Sequence, residues 1–195
     1  IYTLSLHDAL PISIVQNIGF IEQHDPEYVL ILSGDQLYNM DYQAMLDNHK
    51  RHEADLTVAV MPVPWEEASR FGIITQDDDE KILKFTEKPN KPDSNLASMG
   101  IYIFNTELLV STLKEDAIDQ ASEHDFGNDI IPKLLADGKR LYTYEYNGFW
   151  RDVGTISSYH ETSMDLLGSN PDFDLFDTKA PIMSNASTRP PALLR

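Results

Sequence analysis

The sequence has 195 residues, of which 42% are hydrophobic and 24% charged, the composition of a globular protein with one sizeable core. Its 32 acidic and 15 basic residues leave a net charge of −17, which argues against nucleic acid or an anionic membrane as partners because both require a basic face. The absence of cysteine excludes disulfides, thiolate metal sites and a cysteine nucleophile, and fits a cytoplasmic location.

The first third of the chain predicts a strand, a helix and a second strand. Residues 28–32 form an unbroken apolar run, which is typical of a strand buried on both faces of a parallel sheet. A helix from Ile14 precedes it, and residues 42–49 carry apolar side chains at helical spacing after Asp41, a good N-cap. Residues 56–63 are the next apolar, β-branched run. Together these elements predict a right-handed βαβ unit.

Strands and helices continue to alternate along the rest of the chain, which predicts an α/β fold. The expected strands cover residues 71–74, 81–86, 98–104 and 141–146, and the expected helices cover residues 106–114 and 126–136. A loop is expected over residues 147–154, after which Thr155 caps a last helix. Beyond Gly168 the chain is rich in Asn, Pro, Asp and Ser, which indicates a linker.

Charged side chains follow three of the predicted elements. Asp35 projects at the carboxyl end of the first strand, the edge at which open α/β sheets bind ligands. Glu87 and Lys88 stand before Pro89, which cannot continue a strand. Asp152 lies in a loop flanked by glycines, which permit tight backbone bends. These three positions are the candidate sites.

Each candidate also has a structural interpretation. An aspartate in the place of Asp35 serves either as the cap of the next helix or as a metal ligand. Two carboxylates and a lysine at strand ends suit a phosphate ligand held through Mg²⁺, which binds few carboxylates and several phosphate oxygens. From the residues alone the interpretation stops at an α/β protein that binds a phosphorylated metabolite with magnesium, and purely structural roles stay open.

Six segments resemble one enzyme family in their order and spacing. They are YVLILSGDQLY at residues 28–38, MPVPWEEASRFG at 61–72, FTEKP at 85–89, LASMGIYIF at 96–104, HDFG at 124–127 and WRDVGT at 150–155. Any one of them is a weak signal, whereas the six together are specific. On these segments the chain resembles the bacterial glucose-1-phosphate adenylyltransferases (ADP-glucose pyrophosphorylases) from about Ile14 to near its end.

The resemblance implies a Rossmann-like nucleotide-diphospho-sugar transferase domain, with a mixed, mostly parallel central sheet and helices on both faces. It implies the reaction ATP + α-glucose 1-phosphate → ADP-glucose + pyrophosphate, a step of glycogen synthesis, with Mg²⁺ as the cofactor. ATP and glucose 1-phosphate are then the partners, and the full-length protein is expected to be a homotetramer or a hetero-oligomer.

The resemblance also assigns site residues by position. Asp35 and Asp152 resemble the two carboxylates that hold Mg²⁺ and serve catalysis. Lys88 resembles the ammonium that binds the phosphate of glucose 1-phosphate, and Glu87 resembles the residue that accepts sugar hydroxyls.

Two further positions complete the implied sugar site. Gly72 resembles the glycine that offers its backbone to the sugar, and Ser98 resembles the residue that offers a hydroxyl. The segment HDFG at residues 124–127 receives no chemical role, so a turn followed by a helix start is the expectation for it.

The ends of the chain depart from the family pattern. The glycine-rich loop of the type G-G-x-G-[ST] and the segment W-Y-x-G-T-A-[DE]-A do not occur in the sequence. We therefore expect residues 1–13 to be a non-native junction, residues 14–168 a partial catalytic domain, and residues 169–195 a linker toward a C-terminal left-handed β-helix domain. The 195-residue chain alone is expected to bind ATP poorly and not to turn over.

Two other functions stay open alongside this one. A non-catalytic regulatory subunit of the same assembly would bind effectors, although it has no physical need to keep Asp35, Lys88 and Asp152. A nucleotidyltransferase that uses UTP or dTTP with glucose 1-phosphate is the second, because the base-selecting loop of the family belongs to the segments that the sequence lacks.

Overall fold

The computed structural model describes residues 10–167 and 173–175, which belong to two compact units. The helices are α1 Leu10–Gln16, α2 Ile18–His24, α3 Tyr42–Arg51, α4 Thr106–Asp116, α5 Ile131–Ala136 and α6 Ile156–Asp165. The strands are β1 Tyr28–Ile31, β2 Gln36–Tyr38, β3 Leu56–Pro62, β4 Ile73–Gln76, β5 Ile82–Thr86, β6 Leu96–Asn105, β7 Leu141–Glu145 and β8 Trp150–Asp152. Asp35–Asn39 and the residues from Gly148 onward make up the second unit, which holds β2, β8 and α6.

The first unit is built on a six-stranded mixed sheet. β5, β4, β6, β3 and β7 follow one another across it, and β1 lies beside β6. β3 pairs along one edge of β6, while β4 and β1 share the other edge. Among these described strands β3 and β7 are parallel and the other pairs are antiparallel. The predicted α/β class with a mixed sheet is confirmed, whereas the expectation of a mostly parallel sheet is wrong here because β6 runs opposite to its neighbours.

β1 does not have the position that its apolar run predicted. It pairs with the C-terminal half of β6, with Tyr28 opposite Asn105 and Ile31 opposite Tyr102. β6 separates β1 from β3, so the two strands of the predicted βαβ unit are parallel to each other but not adjacent. Leu30 is 37% exposed. Burial on both faces of a parallel sheet is therefore a wrong expectation, because β6 is the one partner of β1 among the described strands.

Helices cover both faces of this sheet. Thr57 and Val58 are neighbours in β3 and point to opposite faces. α3 lies on the Thr57 face, where His49 Nδ1 and Thr57 Oγ1 are 2.8 Å apart and hydrogen-bonded. On the opposite face, strand side chains pack with α4 and α5 into one apolar core that includes Leu56, Val58, Phe104, Leu109, Leu113 and Leu134. Burial of each such side chain contributes about 1.5–3 kcal/mol to the free energy of folding. The prediction that helices cover both faces of the sheet is confirmed.

The helix ends follow their capping residues. The Asp41 carboxylate accepts two backbone N–H groups of the first turn of α3, and Thr155 forms a capping box at the start of α6, so both predicted caps are present. The helix expected over residues 126–136 begins instead with a π-helical turn, capped by Asp125, before α5 continues it. Gly138 follows α5 with a φ of 69°, the left-handed conformation that ends many helices.

The second unit contains a small antiparallel sheet that was not predicted. Gln36 pairs with Asp152, and the buried Trp150 donates its indole N–H to Gln36 Oε1 at 3.2 Å. Residues 147–154 were expected to be a loop, and the expectation is wrong for Trp150–Asp152, which form β8. Strands of three residues have too few positions to show an alternating pattern.

The expected domain division stays a prediction. α1 begins at Leu10, so residues 10–13 of the expected non-native junction are helical, while residues 1–9 lie outside the described residues. The expected linker over residues 169–195 also lies outside them, apart from residues 173–175. Within the described ranges, no helix combines the length and apolar character that crossing a membrane requires.

Candidate metal and substrate sites

The second unit brings two of the predicted site residues together. Asp35 immediately precedes β2 and Asp152 ends β8. Because Gln36 pairs with Asp152, the two aspartates lie at the same end of the small sheet. The contact continues past the last strand pair, where the N–H of Val153 donates to the main-chain oxygen of Asp35 at 3.0 Å. Two segments that are distant in sequence therefore place their carboxylates side by side.

Gly154 leaves the space into which both carboxylates reach. Asp152 Oδ1 accepts the N–H of Gly154 at 2.8 Å, which fixes the turn after β8. A Cβ on residue 154 would lie 2.9 Å from Asp35 Oδ2 and 3.1 Å from Asp152 Oδ1, and both distances are shorter than the ordinary contact range of 3.4–4 Å. A side chain at this position would displace one of the two carboxylates, so both oxygens border one small volume.

This pair suits a hard divalent cation. Mg²⁺ typically binds proteins through one or two carboxylates and completes its octahedron with water and substrate phosphate. The donor set beside Gly154 has that composition. No cluster of three or more His, Cys, Asp or Glu side chains suited to a metal occurs over residues 10–167 and 173–175.

The structure resolves the alternative role of Asp35 as a helix cap. Asp41 Oδ1 accepts the N–H groups of Gln43 and Ala44 at 2.9 and 3.3 Å and so caps α3. Asp35 leads into β2 rather than into a helix. Asp41 therefore caps α3, and the assignment of Asp35 as a metal ligand stays a prediction.

The first unit holds the other four predicted site residues, which are Gly72, Glu87, Lys88 and Ser98. Ile73 pairs with Thr86 at the end of the β4–β5 hairpin, so Gly72 and Glu87, the next residues outward, face each other. The N–H of Ser98 in β6 donates to the main-chain oxygen of Gly72 at 2.8 Å. Hydrogen bonding between strands thus gathers these residues at one end of the hairpin.

Lys88 has a constrained backbone and an exposed side chain. Its φ of 41° is in the left-handed region, which is uncommon for residues other than glycine. Its N–H donates to the main-chain oxygen of Phe71 at 3.1 Å, which holds that conformation. The ammonium lies 3.3 Å from Glu87 Oε1, and the side chain is 57% exposed. An accessible cation next to a carboxylate can bind the phosphate and a hydroxyl of one ligand.

The carboxylate of Glu87 is wedged between two glycines. A Cβ on Gly72 would lie 2.8 Å from Glu87 Oε2, and a Cβ on Gly127 would lie 2.5 Å from the same oxygen. The ring of Phe85 borders both glycines as well. Phe85 and Glu87 are two residues apart, so their side chains point to the same face of the sheet. The Glu87 side chain is only 22% exposed, so its direction is set by packing.

Ser98 connects this region to a buried tyrosine. A side-chain hydrogen bond joins Ser98 to Tyr102 in β6. Burial raises the pKa of the Tyr102 hydroxyl well above its usual range, the bond from Ser98 opposes this in part, and the negative charges of Glu87 and Asp125 raise it further. Tyr102 therefore stays neutral.

The segment HDFG at residues 124–127 also belongs to this region. The sequence alone did not indicate this position for it. Asp125 Oδ1 accepts the N–H groups of Gly127 and Asn128 at 2.8 and 2.7 Å. Phe126 is buried, with its ring centroid 5.0 Å from that of Tyr102. Gly127 leaves the space that Glu87 fills. The expected turn and helix start is present. The sequence signal for the rest was the segment itself, an aspartate cap followed two residues later by a glycine.

Comparison with known proteins shows the family of the chain. The chain matches the family model described as nucleotidyl transferase over residues 8–169. It is 54% identical over 179 residues to the glucose-1-phosphate adenylyltransferase of Clostridium acetobutylicum, covering 92% of this chain and 47% of that protein. It is 52% identical over 179 residues to the enzyme of that name from Geobacillus stearothermophilus, covering 92% of this chain and 46% of that protein.

These matches confirm the resemblance that the six sequence segments indicated. A third relative, the glucose-1-phosphate adenylyltransferase of Clostridium perfringens, is 54% identical over 178 residues, which are 91% of this chain and 45% of that protein. The chain thus spans about half the length of the curated relatives that it matches. The family model covers most of the chain. The chain belongs to the nucleotidyl transferase family.

Proposed function

We propose that this chain belongs to a glucose-1-phosphate adenylyltransferase, which converts ATP and α-glucose 1-phosphate into ADP-glucose and pyrophosphate. The observation that carries the proposal is the convergence of Asp35 and Asp152 beside Gly154, because a pair of carboxylates completed by phosphate is a common way to hold Mg²⁺ in phosphoryl-group transfer. The proposal takes its substrates from the names of relatives that are 52–54% identical.

Asp35 and Asp152 hold Mg²⁺ in this proposal. When bound, Mg²⁺ supplies positive charge to the phosphate oxygens and orients them for displacement. The two aspartates set where that charge is located. Asp152 is constrained by its bond to the N–H of Gly154, and Asp35 by the strand pairing that begins at Gln36. Constrained ligands reduce the reorganisation that the reaction would otherwise require.

Glu87 and Lys88 bind glucose 1-phosphate in this proposal. The Lys88 ammonium binds the phosphate, and the neighbouring carboxylate of Glu87 accepts hydrogen bonds from sugar hydroxyls. Gly72 contributes its backbone and Ser98 its hydroxyl. The main-chain oxygen of Gly72 already accepts one bond from Ser98, which leaves a second lone pair for a ligand.

The proposed chemistry needs no protein nucleophile and no general base. The second pKa of a phosphate monoester is about 6, so the sugar phosphate is mostly a dianion near neutral pH. One of its oxygens attacks the α-phosphorus of ATP, the bond from that phosphorus to the bridging oxygen breaks, and pyrophosphate leaves with the electron pair. The residues of the chain contribute alignment and charge neutralisation, which are the main sources of rate in such transfers.

Two expectations about the complete protein, its oligomeric state and its location, accompany this proposal. The complete protein is expected to act as a homotetramer or a hetero-oligomer, and to work in the cytoplasm, where ATP and sugar phosphates are available. Sedimentation of the complete protein would give the number of subunits directly.

The test is an assay of the complete purified protein. ATP, glucose 1-phosphate and Mg²⁺ are incubated with the enzyme, and ADP-glucose and pyrophosphate are both quantified. We expect equal amounts of the two products, no product without glucose 1-phosphate, and loss of turnover when EDTA removes the metal. UTP and dTTP replace ATP in parallel reactions.

The outcomes separate the three candidate functions. Turnover with ATP far above that with UTP or dTTP supports the proposal. Faster turnover with UTP or dTTP would overturn it in favour of another sugar nucleotidyltransferase. Binding of nucleotide without product would overturn it in favour of a regulatory subunit.

A further inference from the structure

One carboxylate oxygen of Glu87 and the ring of Phe85 occupy the space that Gly72 and Gly127 leave open. Glu87 Oε2 lies 2.5 Å from the place of a Cβ on Gly127 and 2.8 Å from the place of a Cβ on Gly72. Real Cβ atoms show essentially no contacts under 3.0 Å. Any residue other than glycine at position 127 would therefore force this carboxylate to move.

Space, rather than backbone conformation, requires glycine at position 127. Gly127 does not have a φ in the left-handed region, so an alanine could adopt its backbone conformation without strain. The backbone is also held in place, because the N–H of Gly127 donates to Asp125 Oδ1 at 2.8 Å and the next N–H donates to the same oxygen. The backbone therefore could not shift to move a methyl group on residue 127 away from Glu87.

The flexible partner in this contact is the Glu87 side chain. Its carboxylate ends a chain of rotatable bonds, whereas Phe85, whose Cε1 lies 3.0 Å from the Gly127 Cβ position, is a buried ring in β5. A methyl group on residue 127 would thus be accommodated mainly by rotation of Glu87. Position 127 controls the direction of Glu87 without contacting Lys88.

We propose that Gly127 is a positioning residue for Glu87. The bare Cα of Gly127 lets the carboxylate lie between the two glycines, with Oε2 against them and Oε1 beside the Lys88 ammonium. This inference rests on the proposed function, in which Glu87 accepts the hydroxyls of the sugar. The segment HDFG then serves sugar recognition through its glycine, although Gly127 itself need not touch the sugar.

The test compares Gly127→Ala with Gly19→Ala in the complete enzyme. Gly19 lies in the exposed α2, and a Cβ there would meet no atom within 4 Å, so this control should behave like the wild type. For Gly127→Ala we expect the KM for glucose 1-phosphate to rise about tenfold or more, since small displacements of binding groups cost factors of this size. The KM for ATP should change less than about twofold by the same argument.

A second variant distinguishes positioning from general damage. Glu87→Asp withdraws the carboxylate by one methylene. As a single substitution it should raise the KM for glucose 1-phosphate, whereas in the double variant with Gly127→Ala it should cause no further increase. Non-additivity of this kind is the signature of two residues acting on one contact. Additive losses, equal increases in both KM values, or a wild-type KM in Gly127→Ala would each overturn the inference.

Crystal structures of the wild type and of Gly127→Ala provide a readout that is independent of activity. The Glu87 carboxylate should leave the place between the glycines in the variant, and an unmoved carboxylate would overturn the inference. A wild-type enzyme that makes no ADP-glucose would overturn the proposed function instead, while the crystal structures would still decide whether Gly127 sets the direction of Glu87.

Discussion

Asp35 and Asp152 direct their carboxylates at the same small volume, which exists because residue 154 has no side chain. Asp35 Oδ2 and Asp152 Oδ1 lie 2.9 and 3.1 Å from the point that a Cβ on Gly154 would occupy. Two carboxylates that border one volume can both bind a single hard cation such as Mg²⁺.

Asp152→Asn is expected to lower kcat by about a hundredfold or more, because an electrostatic group that acts on the transferring phosphate is lost. The amide oxygen can still accept the N–H of Gly154, so the turn after β8 should survive. The Mg²⁺ concentration for half-maximal rate should rise. Steady-state kinetics against Mg²⁺, with circular dichroism as the check on folding, measure both effects. An unfolded variant would mean that Asp152 is structural, and unchanged Mg²⁺ dependence would contradict the metal role.

Lys88→Ala should raise the KM for glucose 1-phosphate far more than the KM for ATP, because the ammonium binds the sugar phosphate in the proposed function. The expected increase is about tenfold to a hundredfold, the range for a lost charged hydrogen bond of about 1.5–3 kcal/mol. Lys84→Ala is the matched control, since Lys84 lies on β5 and its side chain is similarly exposed, at 55% against 57%. Equal effects on both substrates, or equal effects of the two variants, would refute the assignment.

The helices and strands differ in how well the sequence predicts them. α3 and β3 were predicted with small errors because a capping aspartate and a long β-branched run are local signals. The direction of β6 was not, since an apolar run does not encode which way a strand runs beside its neighbours. Strand direction depends on contacts that are distant in sequence, and a mostly parallel sheet was therefore expected.

The site shows the same limit. Asp35, Glu87 and Lys88 became candidates because they are charged residues at strand ends, and Asp152 because it lies in a loop flanked by glycines. Gly127 was not assigned a role, because its requirement comes from the carboxylate of Glu87, 40 positions earlier in the sequence. A glycine that is needed for space leaves no pattern in its own neighbourhood. Only the packed structure reveals which side chain fills the place.

Asp41→Ala is expected to destabilise the protein by about 1 kcal/mol, the usual cost of losing an N-cap. The two bonds that the backbone N–H groups of Gln43 and Ala44 donate to Asp41 Oδ1 would be lost. Asp47→Ala on the same helix is the control, because Asp47 caps no helix and accepts an exposed side-chain bond from Gln43, its one side-chain bond among the described residues. Urea unfolding of both variants measures the difference. A loss no greater than that of the control would contradict the capping role.

His49 provides a prediction about the dependence of stability on pH. It is buried between α3 and the sheet, where its exposed fraction is 1%. Nδ1 lies 2.8 Å from Thr57 Oγ1, and Nε2 lies 3.2 Å from Asn105 Oδ1. Because the Asn105 amide nitrogen donates to the main-chain oxygen of Ala54, its Oδ1 is the acceptor, so Nε2 carries the proton and Nδ1 accepts from the Thr57 hydroxyl.

Burial lowers the pKa of His49 from its usual value, although the bond to Asn105 and the charge of Asp55 oppose this, and Arg140 and Lys50 lower it further. The unfolded chain therefore binds a proton at a higher pH than the folded protein does. As the pH falls below about 6.5, protonation of the unfolded state should reduce the stability, with a slope of at most about 1.4 kcal/mol per pH unit. Above that pH the contribution of His49 is constant.

Urea unfolding between pH 5 and 8, compared between the wild type and His49→Gln, measures this contribution. Glutamine does not titrate, so the part of the slope below about pH 6.5 that is due to His49 should disappear in the variant. Other groups titrate in both proteins, and the difference between the two curves isolates position 49. Parallel curves would show that His49 keeps an ordinary affinity for protons despite its burial. A wild type that gains stability relative to the variant as the pH falls would mean that the protonated ring is the stabilised form, contrary to the hydrogen bonds that it makes with Thr57 and Asn105.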